Sequence, residues 1–572
     1  MQLRVRAITL IVISAPALSA QAPRATAGQA VTAPHAMIAS HSELASAAGV
    51  EILKAGGNAV DAAVAVGFAL AVTSPEAGNI GGGGFMVIRM ADGRTAALDY
   101  REMAPRGATR EMFTDSASRA NKASEQGARA SGVPGSVAGM LTAHAEFGRL
   151  PLARVMAPAI RLAEKGFTVD SALAHSIAGE QGRIARFGGG KLFLPGGKPL
   201  APGQKLVQPA LARTLKAISA RGARGFYAGE VAQAIADEQK KDGGLITLAD
   251  LKAYHPAWRD PLVGTYRGWT LITMPPSSSG GITTVEALNI LETFNPLPPP
   301  RSAMQTHLLA EALRRAFVDR NALLGDPDFA PLPLAQLTSK SYARTLARSI
   351  NPDSATSTDE AERRAPSAET RSPEGVHTTH YSVVDPNGNA VATTTTLNDS
   401  YGSGVYVAAA GFFLNDEMDD FTVRPGEPNM YGLVQGERNS IAPGKRMLSA
   451  MAPTIVLDPQ GKVTLVLGAS GGPRIITAVL QVLLGVIDYG MSLEDAVFAP
   501  RIHEQARPDT LKYEEGALTP AVLDSLAAMG YATTVSMFSP GGYIARVNAI
   551  GRVKNGWVGV VDRRSSGGAA GY

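Results

Sequence analysis

The sequence predicts an α+β protein. Three observations carry that expectation. Residues 35–165 alternate helical periodicity with short strand-like runs, residues 379–397 have the pattern of a β-hairpin, and an apolar strand from Thr464 to Leu467 passes through a glycine-rich turn into an apolar helix from Ile476 to Leu484. The chain has 572 residues, 45% of them hydrophobic, enough for one very large domain or several ordinary ones.

The elements follow in order. Residues 1–22 have two arginines, an apolar run from Ala7 to Ile13 and small residues ending at Ala20-Gln21-Ala22. That is the build of a secretory signal peptide, so export to the periplasm or medium is expected. Glu43 to Lys54 reads as a helix capped by Ser42, and Ala59 to Val72 as a core helix capped by Asn58 after Gly56-Gly57. The second is too short to span a bilayer, and no membrane span is expected in the mature protein. Gly81 to Gly84 leads into a strand from Phe85 to Met90, with another from Thr95 to Tyr100. Residues 205–255 and 304–350 read mostly as amphipathic helices. Residues 351–377 are polar, contain proline and have almost no large apolar side chains, so a mobile segment is expected there. A late strand runs from Trp557 to Val561.

Composition excludes several chemistries. There is no cysteine, which removes disulfides, thiol nucleophiles and Cys-ligated metals. The nine histidines never form HExxH, and His377-Thr-Thr-His380 has no obvious third ligand, so no metal or other cofactor is expected. Lys plus Arg exceeds Asp plus Glu by only four without a basic tract, and no nucleic-acid partner is expected.

The hairpin opens on Thr378-Thr379, directly after the polar stretch. A threonine hydroxyl needs a base, and one solution is the residue's own α-amino group, which exists only at a chain start. An α-amine titrates at about 7.7 to 8.0 and accepts a proton near neutral pH. An internal Thr378 would first need the His377–Thr378 bond cut, and a loose preceding segment would let the new end move away. If the turn centres on Asn387, Thr378 lies opposite Thr396, and Asn398 falls on the same face two residues on.

Gly468-Ala-Ser-Gly-Gly472 follows a strand and precedes a helix, so its backbone N–H groups could converge as an oxyanion hole. It also matches G-x-S-x-G with Ser470 as a serine nucleophile, but no convincing downstream Asp-then-His order follows. The acidic run from Asn415 to Phe421 fails the EF-hand template and, taken alone, reads as a solvated face.

Together TTHYSVVDPNGNAVATTTTLN, LNDEMDDF, PGKRMLSAMAPTIV, GASGGPRI and YREMAP resemble the γ-glutamyltranspeptidases (glutathione hydrolases), from about residue 35 to the end. The resemblance implies an N-terminal-nucleophile hydrolase, a four-layer αββα sandwich. It also implies self-cleavage into a large subunit, residues 23–377, and a small one, residues 378–572, that stay associated. It implies Thr378 as nucleophile and new N-terminus, Thr396 as its partner, and Gly471 and Gly472 as the oxyanion hole. Arg101 and Ser449 would hold the substrate α-carboxylate. Asn398, Glu417 and Asp420 would surround the α-amino group, and Tyr431 would sit on a lid loop. The implied partners are γ-glutamyl compounds such as glutathione and amino-acid or peptide acceptors. One departure stands out: the family usually has two adjacent serines where this chain has Ser449-Ala450. A cephalosporin (glutaryl) acylase on the same machinery is the nearest alternative, although Asp420 would there have no α-amine to meet.

Overall fold

The computed structural model describes residues 24–361, 378–537 and 542–572. The expected leader and His377 lie outside the described residues. Two antiparallel sheets dominate. The first has the order Arg24–Thr26, Gly568–Gly571, Met37–Ser40, Thr378–Val384, Ala390–Thr396, Gly83–Arg89, Thr95–Asp99 and Ala257–Arg259. The second runs Ala30–Ala33, Gly556–Val561, Arg546–Val553, Val463–Ser470, Thr454–Leu457, Trp269–Thr273 and Leu262–Tyr266.

Side-chain alternation makes the layers. Phe85 and Val87 join Ile455, Val466 and Val547 in the core between the sheets. Met86 and Ile88, one residue out of phase, join Ala62 and Val66 on the outer face. The helices Glu43–Lys54 and Ala59–Thr73 cover that outer face, while Gly280–Leu291 and Arg474–Ile487 cover the second sheet. The result is the αββα sandwich. Both predicted N-caps are present: Ser42 accepts from the Ala45 amide, and Asn58 forms a reciprocal capping box with Asp61. Every residue of Ala59–Thr73 is buried, as a core helix requires.

Polar groups also lie between the two sheets, where Ser382 Oγ donates to Val466 O at 3.0 Å. His380 is buried between Thr394 Oγ1 at 2.9 Å and Ser382 Oγ at 3.0 Å. Burial pulls its pKa down to about 3, so it stays neutral. A Cβ on Gly468 would come 2.4 Å from the His380 ring, which explains glycine in the facing strand. His380 is therefore a spacer between sheets.

One expectation is corrected, and the start of the polar stretch has placed contacts. Residues 351–361 lie mostly at the surface with Thr358 buried. The Ala355 amide donates to Met529 O at 2.7 Å, the Thr356 amide to Glu311 Oε1 at 3.1 Å and the Thr358 amide to Asp509 Oδ2 at 2.7 Å. Composition does not reveal these contacts because main-chain amides make them, to Met529 O, Glu311 and Asp509. Residues 362–377 lie outside the described residues. The helix Ala303–Leu323 is buried on nearly every side instead of presenting a wet face. Its charged residues Glu311, Arg314 and Arg315 pair with one another and with Glu504 and Asp509.

Candidate active site

The hairpin ladder pairs Thr378 with Thr396, the register expected from a turn centred on Asn387. Thr378 Oγ1 lies 3.2 Å from Thr396 Oγ1, and the Asn398 amide donates to the same Thr396 oxygen at 2.8 Å. Asn79 fixes this strand end: its Nδ2 donates to Thr396 O at 2.8 Å and its Oδ1 accepts from the Gly82 amide at 2.9 Å. Asn398 does not reach the site by strand alternation, because the strand stops at Thr396 and Asn398 takes φ +78°. A short polar residue tolerates that left-handed conformation, and the turn carries its side chain to Asp416 O at 3.2 Å.

Thr378, Thr396 and Asn398 line one small cavity. Arg101, Asp420, Tyr431, Ser449 and Ala450 close it from other parts of the chain, and Gly472 forms its floor. Gly471, which follows the last ladder pair of Ser470 with Arg546, is not among the residues that line the cavity. The two glycines have φ +138° and +56°. A Cβ on Gly472 would meet the Tyr431 ring at 2.6 Å, so the position admits no side chain without moving the ring.

Arg101 is fully buried and meets three carboxylates. Asp420 is hydrogen-bonded to its Nη2, Glu417 stands 2.7 Å from Nη1 as an ion-pair contact, and Glu102 lies 3.6 Å away. Those carboxylates hold Arg101 firmly charged. Burial pushes the carboxyls the other way: Glu417 rises well above its usual range, Glu102 rises to about 8, and Asp420 rises despite the opposing pull of Arg101. The Asp420 carbonyl accepts from Gln435 Nε2 at 3.0 Å and Asn439 Nδ2 at 2.6 Å, which locks its backbone. A guanidinium and a carboxylate thus stand side by side, rigidly mounted, next to a paired threonine.

The acidic run is buried throughout, not a solvated face. Asn415 ties Gly81 to Gly132, Asp416 accepts from the Asp399 amide, and Asp419 accepts from Ser124 Oγ at 2.7 Å and the Met430 amide at 2.9 Å. Asp419 thereby holds the 429–433 loop. Within that loop Asn429 Oδ1 accepts from the Tyr431 and Leu433 amides, and Tyr431 Oη donates to Asn398 O at 2.9 Å. Ser449 Oγ accepts from the Met451 amide at 3.2 Å, which leaves its proton to donate. Sequence reasoning missed Asn79, Asn429, Gln435 and Asn439. The Pro428-Asn429 turn signal could have pointed to Asn429; the others are visible only through their partners.

Ser470 does not form a nucleophile elbow. It is a ladder residue of the strand Val463–Ser470, and His380 and His503 are hydrogen-bonded to other side chains.

Residues 45–572 match the family described as gamma-glutamyltranspeptidase. Glutathione hydrolase proenzyme of Pseudomonas sp. (strain A14) is 47% identical over 505 residues, 87% of each chain. Glutathione hydrolase proenzyme of Escherichia coli (strain K12) is 47% identical over 506 residues, 87% of this chain and 86% of the relative. Among solved structures, the cephalosporin acylase from Bacillus halodurans superposes with a TM-score of 0.82 at 27% identity, covering 99% of each chain. With a matching profile over nearly its whole length, relatives of this identity and the αββα sandwich around Thr378, this chain belongs to the γ-glutamyltranspeptidase family.

Proposed function

We infer that the protein is a γ-glutamyltransferase and glutathione hydrolase that uses an N-terminal threonine. The observation that carries the reading is the fixed pair Arg101 and Asp420 in the cavity that contains Thr378 and Gly472. A γ-glutamyl group ends in a zwitterion beyond its scissile amide. Arg101 with Ser449 would take the α-carboxylate, and Asp420 with Glu417 and Asn398 the ammonium. Two charge contacts fix the carbonyl over Thr378, so that binding becomes orientation.

The chemistry proceeds in two stages. In the precursor, the Thr378 hydroxyl attacks the His377 carbonyl, and collapse of the adduct breaks the C–N bond, freeing the Thr378 amine and leaving an ester that water hydrolyses to the Thr378 hydroxyl and the His377 carboxylate. In turnover that amine takes the hydroxyl proton, Oγ1 attacks the γ-carbonyl, and the amides of Gly471 and Gly472 receive the oxyanion. The amine returns its proton to the leaving nitrogen, leaving a γ-glutamyl ester on Thr378. Water or an acceptor amine then breaks that ester. Thr396 holds the nucleophile's rotamer through the 3.2 Å contact.

The acylase reading draws on the likeness to the Bacillus halodurans enzyme. Asp420 weighs against it, because a glutaryl group carries no ammonium to offset a buried carboxylate. Export follows from the composition of residues 1–22, and none of the described helices is long and apolar enough to cross a membrane. A denaturing gel with N-terminal sequencing tests the reading: two bands are expected, the smaller beginning at Thr378. Hydrolysis of γ-glutamyl-p-nitroanilide should far exceed that of glutaryl-p-nitroanilide. A single active band would end the N-terminal-threonine mechanism.

A further inference from the structure

Behind the cavity a chain of side-chain hydrogen bonds joins two of its walls, and each proton in it has one possible place. Thr477 Oγ1 lies 2.8 Å from His503 Nδ1, His503 Nε2 lies 2.8 Å from Gln505 Oε1, and Gln505 Nε2 donates to Tyr431 O at 3.1 Å and Arg507 O at 2.8 Å. All three side chains are buried. Both acceptors of Gln505 Nε2 are carbonyl oxygens, which fixes the amide's orientation. Its Oε1 only accepts, so His503 carries its proton on Nε2, and Nδ1 must accept from the Thr477 hydroxyl. Burial and the nearby Arg474 hold His503 in this neutral form.

The two ends of the chain matter. Thr477 lies in the first turn of the helix Arg474–Ile487, which starts directly after Gly472-Pro473. Tyr431 rests its ring on Gly472 and its hydroxyl on Asn398 O. Its amide is held from within its own loop by Asn429, whereas its carbonyl is held by Gln505 from a different part of the fold.

We propose that Gln505 is a positioning residue for the γ-glutamyl site: its amide, oriented by His503 and Thr477, holds the Tyr431 main chain against the helix behind the glycines. It touches neither substrate nor nucleophile and acts only through Tyr431. The proposal rests on the γ-glutamyl reading above for its catalytic consequence, but the tie itself is independent of it.

Gln505→Glu separates the two. A carboxylate still accepts from His503 but cannot donate, and it sets a negative oxygen against two carbonyls. Two readouts are needed on the processed enzyme: hydrogen exchange of the 429–433 amides, and the steady-state constants for γ-glutamyl-p-nitroanilide, corrected for active fraction by the p-nitroaniline burst. Loss of such a bond should speed exchange and raise KM by about fivefold to tenfold, with kcat changed much less. Thr477→Val should shift both in the same direction more weakly, and Thr477→Ser should restore wild-type values. Unchanged exchange at 429–433 in Gln505→Glu overturns the proposal. So does faster exchange with an unchanged KM, or a loss of kcat that only tracks a fall in Tm. A wild-type enzyme that leaves γ-glutamyl-p-nitroanilide intact, while Gln505→Glu still exchanges faster, would keep the tie and sink the substrate reading instead.

Discussion

Arg101 and Asp420 are hydrogen-bonded to each other inside the cavity that Thr378 lines. The guanidinium and the carboxylate that would hold opposite ends of a zwitterion neutralise one another across the site. A substrate bearing both charges replaces one ion pair with two. A substrate bearing only a carboxylate takes Arg101 and strands Asp420 in a buried place.

That asymmetry gives the first prediction. Removing one partner of a buried, hydrogen-bonded ion pair costs about 2 to 5 kcal/mol, roughly thirtyfold to several thousandfold in binding. Asp420→Ala should lower kcat/KM for γ-glutamyl-p-nitroanilide by that range and affect glutaryl-p-nitroanilide far less. Equal losses on the two substrates would place Asp420 outside the amino pocket.

Thr378 and Thr396 should separate cleanly. Thr378→Ala should give one uncut, inactive chain when purified from a protease-free host. Thr396→Val removes the oxygen that meets Thr378 Oγ1 and the Asn398 amide. Processing and turnover should then slow by about tenfold, the worth of a neutral hydrogen bond or slightly more, without being abolished. Two bands from Thr378→Ala would rule out intramolecular cutting.

The pH dependence of stability should carry a signature of Asp419. Burial pushes its carboxyl from 3.8 up to about 7, against the pull of the Ser124 and Met430 donors. Between those values the folded chain holds a proton that the unfolded chain has released. Its contribution to stability is full below pH 4, falls as pH rises towards 7 by at most about 1.4 kcal/mol per unit, and is flat above. Asp419→Asn lacks this titration, so its Tm relative to wild type should climb from pH 4.5 to pH 7 and then level. Parallel Tm curves for the two proteins would contradict the assignment.

Ala450 lines the cavity beside Ser449. A hydrogen bond to a charged group is worth roughly 1.5 to 3 kcal/mol, part of which water in the space above a small side chain recovers. Ala450→Ser should therefore lower KM for γ-glutamyl-p-nitroanilide several-fold. The contact is remote from the reacting carbonyl and is made about equally in ground and transition states, so kcat should barely move. An unchanged KM in a correctly processed enzyme would show that this position does not face the α-carboxylate.

Local signals in the sequence were strong where one rule decided the outcome. Ser42 and Asn58 marked helix starts through capping chemistry, and the Asp385–Asn389 turn set the Thr378–Thr396 register before any long-range contact was known. The hairpin Leu262–Tyr266 with Trp269–Thr273 and the strand Arg546–Val553 went unread. Leu262–Tyr266 turns the apolar Val263 to the exposed side, and Arg546–Val553 is buried on both faces between charged ends, so neither shows the usual apolar-in, polar-out alternation. The contacts of Thr356 and Thr358 were hidden for a different reason: both look like surface residues, and their partners Glu311, Arg314 and Asp509 are distant in sequence. Asp420 and Arg101 are 319 residues apart, and only the resemblance, not any spacing, joined them in advance.

The strand order has one more consequence. Strands from the two sides of the His377–Thr378 bond are hydrogen-bonded neighbours in both sheets: Thr378–Val384 pairs with Met37–Ser40, Ala390–Thr396 with Gly83–Arg89, Gly568–Gly571 with both Arg24–Thr26 and Met37–Ser40, Gly556–Val561 with Ala30–Ala33, and Thr454–Leu457 with Trp269–Thr273. A cut at that bond, as proposed, severs no ladder, yet neither product can leave without tearing both sheets. Maturation would be one-way. Exchange of subunits between molecules would require global unfolding, and refolding from denaturant would turn from a first-order search into a second-order encounter whose yield falls with dilution. The mature pair would keep, by kinetic confinement, an arrangement that only the intact chain ever had to find.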